Sequence, residues 1–464
     1  MTSPETSPLP GIDPGHEIVI VGAGPAGLRA AETIARAGLV PIVLDEAERP
    51  GGQIYRQPLP AAARDPSAIY GFEARKAEAI HRVLDAGRID YRPRTLVWNV
   101  FGNRLDVLSR DGHGEVSFDR LLLATGAMDR VLPFPGWTLP GVTTLGGAQI
   151  ALKSQGIAIG ERVAFVGAGP LLPLVVHQYA KAGVRVVAAL DATPFAAKVA
   201  QLAGLATAPA TLAKGLWYTA RNRQRGVPAA SGIRALRAEG DGRVEALVWR
   251  DASGAEHRVA CDAIAASFGL RPEAQLADLA GCRFVHQRET QLWMPERSPQ
   301  GRSSVAHVYL AGDGASIGGA DVAELQGRRT ALALLEDLGR DVDAREAARL
   351  DRALARQAPF RRALDAAYPF PRHLVDAIDD AELVCRCEGI AAGALRAAAR
   401  ERGADEANRA KALTRVGMGR CQGRVCGEAA AALIAQCTGT DVERIGRLRA
   451  QPPVKPIPIV AGAS

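Results

Sequence analysis

The chain of 464 residues has no run of about 18 or more apolar residues, the length a spanning helix needs, so no transmembrane segment is expected. Its first residues, MTSPETSPLPGIDPG, lack the positive region and apolar stretch of a secretory signal, and 1–15 read as a flexible leader. There is no dense Lys/Arg run with interleaved aromatics. The formal charge of +7 comes nearly all from Arg and reads as a solvated basic surface, so nucleic acid is not an expected partner. The eight histidines show no paired spacing, and no nucleophile–base constellation stands out. No Cys follows Gly51-Gly52, and Cys261 and Cys282 stand far from any CxxC, so thiol–disulfide reductase chemistry is not expected. The expected location is the cytoplasm, or the inner face of the membrane as a peripheral protein.

What is present points elsewhere. At roughly 150 residues per domain, the length allows about three units. Two segments repeat one pattern: EIVIVGAGPAGLRAAETIARAG (17–38) and RVAFVGAGPLLPLVVHQYAKAG (162–183). Each is a β-branched run, a Gly-rich turn and a helix-period stretch, followed by a second apolar run. This is strand–turn–helix–strand twice, the pattern of two doubly wound nucleotide-binding units. The segment 308–338 starts as a strand, becomes a long helix and reads as the closing piece of the first unit. The second unit is therefore expected to be inserted within the first.

Gly22, Gly24 and Gly27 complete G-x-G-x-x-G directly after a strand. In turn they permit the tight turn, let backbone approach a pyrophosphate, and let helix and strand pack closely. Pro25 and Ala26 lie at the start of the helix, whose N-terminal N–H groups favour phosphate. Asp45, 18 residues beyond Gly27, ends the second strand where an acid accepts from ribose hydroxyls, with Glu46 as the substitute candidate. Three further pieces favour FAD over NAD. Pro50-Gly51-Gly52-Gln53 is a small-residue turn, LLLATGA (121–127) ends a strand in Thr125-Gly126, and VYLAGD (308–313) places Gly312-Asp313 ahead of a helix.

This set resembles the two-dinucleotide-domain flavoprotein family that includes glutathione and thioredoxin reductases, over roughly residues 16–338. The resemblance implies that Asp313 hydrogen-bonds the FAD ribityl chain. It also implies that a helix starting near Gly319 aims its N-terminus at the flavin pyrimidine edge.

The second turn, Gly167 to Leu172, departs from the pattern. Leu172 takes the third Gly position, where it is expected to push the helix off the strand. By count, Leu190 takes the place of the ribose acid, with Asp191 one step on. Two readings stay open, an NAD(P)H site and a retained fold with a weak or altered site; NAD(P) is not the expected cofactor.

Cys385-Arg-Cys387 and Cys421-Gln-Gly-Arg-Val-Cys426 form C-x-C and C-x₄-C pairs, with 33 residues between them that read as helices. The second pair sits in a Gly-rich loop opening onto a helix. Four thiolates suit a [2Fe–2S] centre or zinc, and unrelated free thiols are the third reading. Structural zinc more often uses C-x₂-C, and an electron carrier suits a flavin neighbour. Arg386, Arg420, Arg424 and the helix start at Gly427 are expected to keep the thiolates tolerable. The segment resembles the bacterioferritin-associated ferredoxin type of [2Fe–2S] domain, although C-x₄-C replaces its usual C-x₂-C.

Taken together, the stretches VLDEAERPGGQIYRQP, LPGVTTLGGAQ, VYLAGDGASIGGA and RVGMGRCQGRVCG resemble one flavoprotein group. It holds the FAD and [2Fe–2S] subunits of opine oxidases, of hydroxyproline or proline dehydrogenases and of hydrogen cyanide synthase, and is related to the large subunit of heterotetrameric sarcosine oxidase. The expected fold class is α/β, a glutathione-reductase-like protein with two dinucleotide-binding domains and a C-terminal helical ferredoxin-like [2Fe–2S] domain. The expected boundaries are 16–145 with 290–340 for the FAD domain, 146–289 for the inserted degenerate unit, 341–382 for a helical connector, and 383–464 for the cluster domain and Pro-rich tail.

The resemblance implies amine oxidation in a partner flavoprotein, the beta subunit, with this chain accepting the electrons. It further implies an FMN at the subunit interface, a third small subunit, and a quinone or respiratory carrier as the final acceptor. The rival reading is a self-contained NAD(P)H-dependent reductase, and another is a scaffold subunit with an idle FAD.

Overall fold

The computed structural model describes residues 17–62 and 65–458, so the leader expected at 1–15 lies outside the described residues. Ile18–Val21 (β1) is apolar at every position and fully buried, as a central parallel strand demands. The helix Pro25–Arg36 follows, with Pro at its first position, and leads to Ile42–Leu44 (β2) and Asp90–Arg92 (β3). An antiparallel meander comes next: Leu96–Phe101 (β4), Arg104–Ser109 (β5) and Gly112–Ser117 (β6). Arg120–Leu123 (β7) then returns to lie beside β1.

Ala127–Asp129 (β8) leaves the first unit. The second unit contains Val142–Thr144 (β9), Arg162–Gly167 (β10), Arg185–Asp191 (β11) and Ala229–Ser231 (β12). Its own meander follows, Ala235–Glu239 (β13), Ala246–Arg250 (β14) and Glu256–Ala260 (β15), then Ala263–Ser267 (β16). Leu270–Pro272 (β17) pairs antiparallel with β8, so exit and return run side by side. The hairpin of Phe284–Gln287 (β18) and Leu292–Pro295 (β19) precedes Val308–Leu310 (β20), which joins β7. The strand orders β20-β7-β1-β2-β3 and β12-β11-β10-β16-β9 repeat one doubly wound plan, the second unit lying within the first in sequence.

Because β9 pairs with β16, the boundary expected at 145 falls inside the inserted unit. A strand of three residues carries no readable periodicity, so counting could not place it.

The helices Ala344–Ala367 and Arg372–Asp376 fill the connector. After them come Leu383–Cys385 (β21), Ile390–Ala391 (β22) and the helices Ala392–Arg402, Ala407–Thr414 and Gly427–Thr438. This segment shares one core with the inserted unit, joining Leu132, Phe134 and Trp137 to Val384, Leu395 and Leu433. Trp137 Nε1 donates to Leu383 O at 2.7 Å, satisfying the indole at that seam. No helix among the described residues is long and apolar enough to cross a membrane.

Candidate functional site: a nucleotide cavity walled by the cysteine loop

A cavity of about 1550 Å³ opens at the strand ends of the first unit and extends to the second. Gly22, Gly24, Pro25, Ala26, Asp45, Glu46, Gly52, Gln53, Thr125, Gly126, Gly312 and Asp313 all line it. Gly27 is not in the wall. A Cβ there would collide with Gly22 O, so this glycine serves the close helix–strand crossing. Gly52, at φ +62°, lies so near Gly24 that a Cβ would come within 2.8 Å of Gly24 Cα. A Cβ on Gly24 would meet only Gly52 Cα, at 3.8 Å, leaving that backbone open toward the cavity. The cradle fits a pyrophosphate with an extended group beyond it.

Asp45 and Glu46 behave differently. Asp45 Oδ1 accepts from Ala47 N at 2.7 Å and Oδ2 from Ala23 N at 2.5 Å, so the carboxylate holds the glycine turn itself. Burial raises its pKa, and those two amides oppose the shift. Glu46 turns outward and pairs with Lys455 of the Pro-rich tail. Asp313 Oδ1 accepts from Gly318 N at 2.8 Å and Gly319 N at 3.0 Å, immediately before the helix Ala320–Asp337. The resemblance placed that helix start correctly.

Three residues in or behind this wall were missed by sequence reasoning. Gln326 Oε1 accepts from Gly312 N at 2.9 Å and fixes the turn that carries Asp313. Lys153 is buried in the wall, its Nζ donating to Ile54 O at 3.2 Å, and burial lowers its pKa to about 8. Glu273 accepts from Thr125 Oγ1 through its main-chain oxygen and belongs to the inserted unit. None sits in a motif; a glutamine or lysine in a helical stretch reads as surface.

The second unit holds an acid where the count placed none. Val21 pairs with Leu44 in the first unit and Val166 with Leu190 in the second, so Asp191 is the counterpart of Asp45. A register shift between Val163 and Ala164 puts one extra residue into β11, and a count blind to that bulge runs one short. Asp191 Oδ1 accepts from Thr193 N at 2.8 Å, as Asp45 accepts from Ala47, but its Oδ2 is taken by Lys198. At Leu172 the two units differ in where the helix starts. The helix Leu171–Lys181 begins one residue later in its motif than Pro25–Arg36, and Leu172 is buried against Phe165, Val175 and Val176.

The four cysteines of the C-terminal segment come together. The Cys426 thiol lies within interaction range of Cys385 and Cys421, and that of Cys421 in turn of Cys387. Cys385 is drawn down to about 6 by the Cys426 thiol, against its burial, and by the amides of Gly417, Glu388 and Cys387. Cys421 falls to about 5 for the same first reason, helped by the amides of Val425 and Gly423. Cys426, buried beside those two thiols, is pushed up. Among the described residues no three His, Cys, Asp or Glu side chains are arranged for one metal ion. Four cysteines suit a two-iron centre, in which each iron takes two thiolates.

Two of the three arginines expected to quiet these thiols are engaged elsewhere. Arg424 is tied to Glu273 and the Arg386 guanidinium lies 5.6 Å from the Trp137 ring, so backbone amides supply the donors.

The extra length of the C-x₄-C loop has a use. Arg424 and Val425 line the large cavity. Arg424 forms a nearly buried ion pair with Glu273, Gln275 Nε2 donates to Gln422 O at 2.7 Å, and Arg271 Nη1 to Arg424 O at 2.8 Å. Val454 N of the tail donates to Trp98 O at 3.0 Å while its carbonyl accepts from Arg424. The loop between two cysteines is thus part of the nucleotide cavity's wall.

Comparison with known proteins agrees with this geometry. Residues 16–327 match the family described as pyridine nucleotide-disulphide oxidoreductase, and residues 383–436 match the BFD-like [2Fe–2S] binding domain. An opine oxidase subunit of Rhizobium meliloti (strain 1021) is 37% identical, over 95% of this chain and 97% of that one. Hydrogen cyanide synthase subunit HcnB of Pseudomonas aeruginosa is 34% identical, over 96% and 97%. The crystal structure of L-proline dehydrogenase from P. horikoshii superposes with a TM-score of 0.71 at 20% identity, covering 96% of this chain and 78% of that one, which shows a shared fold. The chain belongs to the pyridine nucleotide-disulphide oxidoreductase family, among the FAD and [2Fe–2S] oxidoreductase subunits that include HcnB and its opine oxidase counterpart.

Proposed function

We propose that this chain is the electron-transferring subunit of a heteromeric dehydrogenase or oxidase that uses a secondary amine or amino acid of the opine or proline-like class. Amine oxidation takes place in a partner flavoprotein subunit. The observation that carries the reading is the cysteine loop in the cavity wall: Arg424 and Val425 face the nucleotide cavity while Cys421 and Cys426 flank them. The relatives from opine oxidase and hydrogen cyanide synthase are both named as subunits, which supports the partner.

In this reading Gly22, Gly24, Pro25, Ala26 and Gly27 form the pyrophosphate turn and Asp45 faces the ribose. Gly52, Gln53, Thr125 and Gly126 border the flavin, and Gly312 and Asp313 hold the ribityl chain. Cys385, Cys387, Cys421 and Cys426 ligate the cluster. FAD and a [2Fe–2S] cluster supply two-electron and one-electron transfer when bound. The chain's own residues join the two sites through the Arg424–Glu273 junction. An interface FMN, a third small subunit, and a quinone or respiratory acceptor complete the proposed relay.

One observation favours the rival NAD(P)H-dependent reductase, namely that Asp191 occupies the ribose-acid position of the second unit. Its Oδ2 is already held by Lys198, which weighs against that role. The test is to mix the purified chain with NADH, NADPH, or an opine, proline or sarcosine substrate, with and without the co-purified partner, and follow flavin bleaching and dye reduction. Amine-dependent turnover only with the partner is expected. Turnover by this chain alone would refute the proposal, and rapid bleaching by NADH or NADPH would establish the reductase.

A further inference from the structure

A second cavity, of about 640 Å³, lies between the loop 316–318, the hairpin of β18 and β19, and the helix Ala344–Ala367. It adjoins the large cavity at Ile317 and Gly318, which line both. Its wall is mostly apolar, with Phe268, Leu292, Met294 and Phe370 among the lining residues.

Three arginines line it, and two have counter-charges. Arg130 is paired with Glu428 and Arg361 with Asp365. Arg297 has none: no Asp or Glu among the described residues forms an ion pair with it. Among the described residues its one side-chain partner is Ser316 Oγ, at 3.0 Å from Nη2, and Nη1 is buried without a partner. Burial, with no opposing charge, lowers its pKa, yet a guanidinium stays protonated in proteins. A buried cation with open donors calls for an anion.

We propose that this cavity binds a small organic carboxylate through Arg297. One uncompensated positive charge matches one negative charge, and a guanidinium fork matches a carboxylate. The apolar remainder fits a hydrocarbon body, and the volume is that of a small-molecule site. A polyphosphate would bring more charge than this wall can balance.

The site is also wired to the flavin side. Arg297 Nη2 donates to Ser316 Oγ, Gln326 Nε2 donates to the same oxygen at 3.0 Å, and Gln326 Oε1 accepts from Gly312 N at 2.9 Å. Three hydrogen bonds therefore connect the carboxylate position to the turn that carries Asp313. Occupancy is expected to register in the flavin absorbance. The inference does not depend on where the amine is oxidised.

The full chain with FAD and cluster in place should be titrated with hexanoate, benzoate and inorganic phosphate, following the flavin difference spectrum and the melting temperature. The two carboxylates should give saturable changes in both. Arg297→Gln should weaken them about tenfold or more, the loss of a charge-assisted contact, and Arg297→Lys should restore part. Arg297→Met should melt higher than wild type without carboxylate, since the unpaired buried charge is gone, and should not respond to it. No saturable response in wild type, equal binding by Arg297→Gln, or a response to phosphate alone would each overturn the proposal. If Arg297→Gln fails to fold, the wild-type titration and Arg297→Lys decide.

Discussion

Arg424 and Glu273, 151 residues apart, form a two-pronged ion pair, with Nε to Oε2 at 2.6 Å and Nη2 to Oε1 at 3.1 Å. Both side chains are largely buried, so removing either strands the other charge, at a cost of about 3–5 kcal/mol. Arg424→Gln and Glu273→Gln should each destabilise the protein, and the double change Arg424→Met with Glu273→Leu should recover much of the loss. Urea melts would measure this, and equal stability of the single variants and wild type would refute it.

The same pair sets a pH dependence. Burial favours the neutral acid, but the charge and hydrogen bonds of Arg424 outweigh it and hold Glu273 below the usual glutamate range. A carboxyl with a depressed folded pKa stabilises fully above its unfolded pKa and loses that effect as pH falls through the folded one. The junction should be intact at neutral pH and fade below about pH 4.3, the unfolded value. Wild type and Glu273→Gln should therefore differ in stability at pH 7 and converge in acid.

Cys421→Ser should remove the iron while leaving FAD bound, since the cradle around Gly22 and Gly52 is built by other elements. Wild type should hold about two irons and acid-labile sulfide per chain. Zinc without iron after anaerobic purification would overturn the ligand assignment.

Asp45→Ala should weaken FAD binding by about 1–3 kcal/mol, the value of charge-assisted hydrogen bonds. The carboxylate also holds Ala23 N, so the glycine turn itself should loosen. Dialysis rates for FAD compare the two proteins, and Glu46→Ala is the control. Equal retention by Asp45→Ala and wild type would remove Asp45 from the ribose role.

Leu172→Ala should cost about 2–5 kcal/mol, because the side chain that breaks the glycine motif now fills the core. Thermal melts read this, and a neutral change would mean that the site collapses around the gap.

The parts legible in the sequence are those set by local pattern. The fully apolar β1, the glycines behind it and Asp45 just past β2 lie within one strand–turn–helix–strand unit, where spacing is fixed by geometry. The cysteine pairs and the helices between them are similarly local. Two kinds of feature escaped. A single bulged residue in β11 moved Asp191 by one place, and nothing in an apolar run marks a bulge. Contacts across the chain, such as Arg424 to Glu273 or Val454 to Trp98, depend on how whole units dock. One charged residue reads the same on an open surface as at a buried seam.

The first sheet has a temporal consequence. β20 adjoins β7, yet residues 124–307 lie between them, carrying the whole inserted unit. A ribosome releases β7 long before β20, so the nascent first sheet waits with an unpaired edge while the second unit is made. Gly312 and Asp313 follow β20 in the cavity wall, and Arg424, Val425 and Val454 join it later still. Flavin loading therefore belongs to the late stage of synthesis, after the helix beginning at Ala320 has emerged. A chain truncated before β20 should be a substrate for chaperones, with no completed cradle for the cofactor.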